Sequence, residues 1–355
     1  MSKFQITDAA YDEDVLASKK RVRVGTSGEI SFETPLRVGQ DNVKDTPIYE
    51  AYRNVKIDTL EKCLRDTSFD ANYSRELKNL RSKGFTILTL GYGSIIDPSP
   101  KQIAIMADLQ YISSDVVVIP SWYDLINKSD RKLEKYLKHS KEFKAVAETL
   151  NNKPMVAAIP QCMPPVDLEA VIKHWMDENV VSYIVDSSAR TPLGGTWMRN
   201  LKREINRYSV EKESLLYSIN AYQCSVQKNT EVAVAKDFLG FNTAFDMIGG
   251  KHVAKGSSES YKNVSGESKG KLFDQELYSY HNLKCTKEQA AEYKEKSIIR
   301  QIAEMGNVRN NIKEGVKMTD LLRSKSINAE IIKTFVDFKN EVEQKGRVSK
   351  LDAFI

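Results

Sequence analysis

The sequence predicts an α/β protein, a (β/α)8 TIM-type barrel opened by an N-terminal β-hairpin and followed by a C-terminal helical extension. Two observations carry this. Short apolar runs without polar alternation, such as SDVVVIP at 114–120, ask for burial on both faces, as strands of a parallel sheet do. These runs alternate with amphipathic stretches of helical length, in a chain of 355 residues whose 41% apolar content fills a large core. A barrel of this kind places its chemistry at the C-terminal ends of the strands.

In chain order, residues 21–39 (RVRVGTSGEISFETPLRVG) read as two strands about the turn Thr26-Ser27-Gly28. Residues 85–89 (FTILT) are a short buried strand, 101–111 an amphipathic helix and 114–120 the next strand. The rhythm continues with helix 128–150, strand 155–160, helix 166–179, strand 182–186, helix 195–208 and strand 215–220. Residues 237–250 (DFLGFNTAFDMIGG) read as an amphipathic helix running into a short turn that carries Asp246 and the pair Gly249-Gly250. Residues 251–271 are rich in Gly, Ser and Lys and read as a flexible basic loop, lying along a phosphate backbone or simply solvated. Residues 287–345 are helical in pattern, with most charges on a solvated face. The expected organisation is a hairpin-capped barrel over 1–275, a helical region over 276–345 and a flexible tail over 346–355.

A net charge of +5 and a pI near 8.7 are compatible with a polyanionic partner without identifying one. The four cysteines, Cys63, Cys162, Cys224 and Cys285, lack CxxC spacing. Neither a disulfide framework nor a zinc knuckle is therefore expected, and no metal or cofactor is called for. The N-terminal stretch has acidic residues where a signal peptide needs an apolar core, and no run approaches the length of a membrane span. A cytoplasmic protein without membrane contact is the expectation.

The strand ends carry Gly91, Tyr92 and Gly93, then Ser121, Trp122, Tyr123 and Asp124, then Gln161, Asp186 and Asn220. Polar and aromatic groups converge there, although strand-end loops are polar in any barrel. The last residues, VSKLDAFI, resemble the sliding-clamp-binding peptide found at the ends of many DNA-processing proteins. Leu351, Phe354 and Ile355 match its anchors and Val348 stands where that motif usually has Gln. Packing of the tail on its own domain is the competing reading.

With FETP at 32–35, ILTLGYG at 87–93, SPKQIAIMADLQYISSDVVVIP at 99–120, AIPQ at 158–161 and AFD at 244–246, the chain resembles the guanine transglycosylase superfamily from about residue 21 to about 252. These enzymes exchange guanine in a nucleic acid for a 7-deazaguanine. The resemblance implies that Asp246, in its Phe-Asp pair, is the nucleophile that holds a covalent glycosyl intermediate, and that Gln161 hydrogen-bonds the base. It implies substrate contacts from Gly91, Tyr92, Gly93, Ser121, Trp122 and Asp124. The target nucleotide must be extruded, with phosphates held by Arg190, Arg199, Lys251 and Lys255. The chain departs from the family in four places, one of them Asp186-Ser187 where the family has Gly-Gly after the next strand. Leu90 stands where the family has its acid/base Asp, Ser121 where it has a guanine-reading Asp, and the zinc ligands are reduced to His281 and Cys285. Either Asp186, Asp97 or Asp124 takes over proton transfer, with Asp186 the second catalytic candidate, or the chain is a non-catalytic nucleic-acid-binding paralogue or partner subunit. The clamp-like tail, and the lack of the basic β-barrel that tRNA-directed relatives append, lean towards DNA ahead of tRNA as the polymer. Relatives commonly pair, so a dimer is a further expectation.

Overall fold

The computed structural model describes every residue except 1–3, 26–29, 41, 44–45, 151–152, 194, 209–213, 225–230, 253–267 and 352–355. The chain begins with three antiparallel strands, β1 (Phe4–Tyr11), β2 (Ser18–Val24) and β3 (Ile30–Thr34), in the order β1-β2-β3. Alternation sets their faces: in β2, Val22 and Val24 are buried while Arg21 and Arg23 are exposed. The β2–β3 pair is the expected hairpin, with Val24 opposite Ile30, and its turn lies outside the described residues. β1 adds a third strand that the sequence reading did not foresee.

The strands β4 (Leu36–Arg37) and β5 (Tyr49–Val55) follow, then the helices α1 (Ile57–Arg65) and α2 (Thr67–Lys78). Next come β6 (Thr86–Tyr92), α3 (Pro100–Ser113), β7 (Val117–Ile119), α4 (Tyr123–Asn127), α5 (Lys132–Leu150), β8 (Met155–Pro160), α6 (Leu168–Asp177), β9 (Tyr183–Asp186), α7 (Thr196–Arg207) and β10 (Leu216–Ile219). Helix α3 starts where the chain dictates, on a Ser99–Gln102 capping box with Pro100 in the first turn. After β11 (Val232–Val234), a 3-10 turn over Phe238–Thr243 leads into β12 (Met247–Ile248).

β4, β12, β10, β9, β8 and β7 form, in that order, a six-stranded parallel sheet, and β5 pairs with β6 in a two-stranded parallel one. The sheets meet at both edges. Gly39, just past β4, bridges in parallel to Tyr49, and the Asp115 amide before β7 donates to Thr86 O at 2.8 Å. One apolar cluster gathers alternate residues of these strands, among them Leu36, Ile87, Val118, Ala158, Ile184, Tyr217 and Met247, together with Ile48 just before β5. Phe4, Val22, Val24 and Phe32 of the N-terminal sheet join it. A second cluster, with Leu88, Ile119, Ile159 and Val185 from the intervening positions, packs against the helices.

Two expectations about the C-terminal half are corrected. Residues 268–271, read as part of a loop, belong to a strand, because β13 (Ser268–Asp274) and β14 (Ser279–Cys285) pair antiparallel next to β11. The helices begin only afterwards: α8 (Lys287–Glu314), α9 (Met318–Ser324) and α10 (Ala329–Leu351). The segment expected as a flexible tail from 346 is helical up to Leu351, which ends α10. Phe354 and Ile355 lie outside the described residues. Among the described residues no helix is long and apolar enough to cross a membrane.

Candidate active site

Strand geometry decides which predicted residues meet. Three of the strand-end connections contain non-glycine residues in the left-handed region, Trp122 (φ 53°) after β7, Ser188 (45°) and Ala189 (62°) after β9, and Asn220 (55°) after β10. Such backbone conformations cost free energy and gather where a site over-determines them. They bend the chain so that a pocket of about 50 Å³ forms between Tyr52, Asn54, Gly91, Tyr92, Ser121, Tyr123, Asp124, Asp186 and Ser188. Gly91 admits this arrangement, since a Cβ there would lie 2.4 Å from the Tyr52 hydroxyl. Gly93, one step beyond the pocket, ties its amide to Val55 O.

Asp186 is the centre of the pocket. Its Oδ2 accepts from Ser121 Oγ at 3.0 Å, and its Oδ1 from Asn220 Nδ2 at 3.0 Å, from the Ser188 amide at 3.1 Å and from Ser188 Oγ at 3.3 Å. Asp124, half-buried in the same pocket, has its pKa raised, first by burial and then by the charge of Asp186. The Tyr52 phenol is pushed up for the same reasons, by burial and by the charges of Asp186 and Asp124. The pocket thus sets two carboxyl groups in different environments, Asp186 held by Ser121, Ser188 and Asn220, and Asp124 with its pKa raised by burial beside it. Asp97 is elsewhere, held by Lys135 Nζ and His139 Nε2, each at 2.8 Å; the Lys135 hydrogen bond is the chief cause of its lowered pKa.

Asp246 is not in this pocket. β12 begins immediately after it, so Asp246 stands at the N-terminal edge of the sheet, level with Leu216, whereas Asp186 ends β9 level with Ile219. Three residue steps separate the two levels, about 10 Å along a strand. Asp246 is 2% and Lys20 5% exposed, and Lys20 Nζ lies 2.9 and 3.0 Å from the two carboxylate oxygens. Lys20 Nζ also donates to Ser214 O, and the Leu216 amide donates to Asp246 Oδ2 at 2.8 Å. This is a buried ion pair that fastens the N-terminal sheet to the strands. The expected turn carrying Asp246 is a strand start, which is why the residue reaches the wrong end.

Other expectations divide as well. Trp122, with its left-handed backbone, is a core residue whose Nε1 donates to Ser140 Oγ at 3.0 Å. Gln161 follows β8, with its amide on Asp186 O at 2.9 Å and its Oε1 buried without a partner. Arg190 is exposed beside the site and donates to Gln161 O. Arg199, on α7, faces α10 and holds Glu341 with both contacts at 2.7 Å, so it is a tie between helices. Lys251 follows β12 at the strand C-terminal ends, partly buried, and Lys255 lies outside the described residues.

The residues that sequence reasoning missed are Tyr52, Asn54, Glu50 and His252. Glu50, on β5, is 2% exposed, and its Oε1 accepts from the Gly250 amide at 2.8 Å, from His252 Nε2 at 2.5 Å and from Gln40 Nε2. His252 stacks on Tyr52, ring centroids 5.1 Å apart and 8° from parallel, and its amide donates to Asn220 Oδ1 at 2.9 Å. Asn220 therefore joins the Glu50–His252 pair to Asp186. Among the described residues no group of three or more His, Cys, Asp or Glu is arranged to hold a metal ion. In comparisons with known proteins, no family model and no curated protein matches this sequence.

Proposed function

We propose that the chain is a transglycosylase that exchanges guanine in a nucleic acid for a 7-deazaguanine, on a closed (β/α)8 barrel. Closure is supported by the hydrogen bonds at both sheet edges and by the single apolar cluster drawn from alternate residues of the strands. The observation that carries the function is the Asp186–Asp124 pair in one pocket at the strand C-terminal ends.

In this reading Asp186, rather than Asp246, is the nucleophile. Its carboxylate forms a bond to the sugar C1′ as the bond from C1′ to guanine N9 breaks, and the departing base takes the proton of Asp124. The Asp124 carboxylate then removes the N9 proton of the incoming 7-deazaguanine, whose nitrogen attacks C1′ and releases Asp186. Arg190 and Lys251 stand where phosphates of an extruded nucleotide would run, in DNA or tRNA. The clamp-binding role of the C-terminal end and a dimer belong to the same proposal. The test is incorporation of labelled guanine into double-stranded DNA and unmodified tRNA, which Asp186→Asn abolishes.

A second reading, a nucleic-acid-binding paralogue without activity, is favoured by the volume of the pocket. About 50 Å³ is well below the roughly 300 Å³ at which ligand pockets begin, so a base enters only if the lining side chains move. Polymer binding without exchange would establish that reading.

A further inference from the structure

Glu50 carries a carboxyl group buried inside the sheet, 2% exposed. Burying a carboxylate costs several kcal/mol unless its partners compensate, and an apolar side chain of similar volume is often neutral or better. Here Oε2 is buried without a partner, as is the neighbouring Tyr217 hydroxyl. Room for the group is made by two glycines. A Cβ at Gly249 would lie 2.1 Å from Glu50 Oε2, and one at Gly250 1.7 Å from Gln40 Nε2. The carboxylate is also braced from behind. Gln40 Oε1 accepts from Arg37 NH2 at 3.4 Å, and Arg37 Nε donates to Gln301 Oε1 on α8 at 2.9 Å. Gln301 Nε2 in turn reaches the Tyr280 hydroxyl at 2.8 Å, and that hydroxyl is held on Asp237. A hydrogen-bonded chain therefore runs from the C-terminal unit, through Arg37, Gln40, Glu50, His252 and Asn220, to Asp186 and Ser121.

We propose that Glu50 is the positioning residue of the pocket: by holding His252 it sets both the Tyr52 ring and the Asn220 side chain that orients Asp186. His252 connects to each by a separate contact, its ring to Tyr52 and its amide to Asn220, so displacing it loosens two walls of the pocket together. The chain also makes the C-terminal unit part of the site's support, since Gln301 fixes Arg37 from α8. The catalytic consequence rests on the transglycosylase reading; the geometry does not.

The experiment uses the full chain with labelled histidines, of which there are four, and compares wild type with Glu50→Gln, assigning His252 from a His252→Gln spectrum. The expected result is a displaced His252 side-chain resonance in Glu50→Gln. In the exchange assay both variants should lose kcat on the order of 100-fold with KM for the polymer unchanged, the penalty of misplacing reacting groups by about an ångström. His252 is partly exposed, so His252→Gln keeps the test decisive if Glu50→Gln does not fold. A His252 resonance that superimposes on wild type in folded Glu50→Gln overturns the proposal, as does kcat at the wild-type level in either folded variant. If the wild-type chain exchanges no base, the transglycosylase reading fails while the resonance still decides whether Glu50 positions His252.

Discussion

Replacing Asp246 by Asn separates the motif from the geometry. If Asp246 is a buried structural partner, Asp246→Asn leaves the Lys20 ammonium with neutral oxygens but no counter-charge, in a site where both side chains are almost fully buried. Breaking a buried pair by removing one partner costs about 3–5 kcal/mol. At roughly 2.1 cal/mol/K per residue, unfolding 355 residues as one unit carries about 0.75 kcal/mol/K, so the midpoint falls by about 4–7 °C. Scanning calorimetry reads this directly. The double substitution Lys20→Met with Asp246→Leu should restore most of the loss, since it removes both charges and keeps the volume. Below its midpoint, Asp246→Asn should exchange base at the wild-type rate. An unchanged midpoint combined with abolished exchange would refute the reasoning and return the nucleophile to Asp246.

Asp124→Asn tests the pocket electrostatics. With the folded pKa raised above the unfolded value, the folded state holds a proton that the unfolded chain has released, so this group's contribution to stability falls as pH rises through that window. The Asn variant should be the more stable protein at pH 7, with the difference closing below about pH 4, where both states are protonated; urea unfolding showing a gap that widens towards low pH would contradict this. Arg190→Ala should weaken nucleic-acid binding and reduce the salt slope by about one, whereas Arg199→Ala should leave binding unchanged and cost no more than about 1 kcal/mol through loss of Glu341; titrations at several salt concentrations separate them. Trp122→Phe should destabilise by about 2–4 kcal/mol through the lost hydrogen bond to Ser140 and the cavity left in the core, with normal binding, and a binding defect at unchanged stability would put the indole back in the site.

What the sequence made legible follows from how its signals arise. β8 was expected at 155–160 and is found at Met155–Pro160, because an unbroken apolar run buried on both faces has no other good reading. β5 carries no such signal: YEAYRNV mixes charge with aromatics, and Glu50 reads as a surface residue until the sheet encloses it. Gly91, Tyr92, Ser121, Asp124 and Asp186 do share a pocket, since their common property, a place at a strand's C-terminal end, survives errors of one or two residues in strand limits. Asp246 shows the opposite case. Its neighbours Phe238 and Phe241 looked helical, and the two-residue strand that follows is too short to announce itself, yet that strand's starting point decides which end of the sheet the carboxylate occupies. Trp122 has a left-handed backbone that no local pattern signals, and its indole is buried in the core on Ser140. The start of β13 is hidden by a Gly-, Ser- and Lys-rich segment whose composition is that of a loop.

The most direct test of the central claim is incorporation of labelled guanine into double-stranded DNA and unmodified tRNA by the wild-type chain, Asp186→Asn and Asp246→Asn, all below their unfolding midpoints. The account predicts label in one polymer with wild type and Asp246→Asn, and none with Asp186→Asn. Label incorporated by Asp186→Asn at the wild-type rate, or no label from the wild-type chain in either polymer, would contradict it.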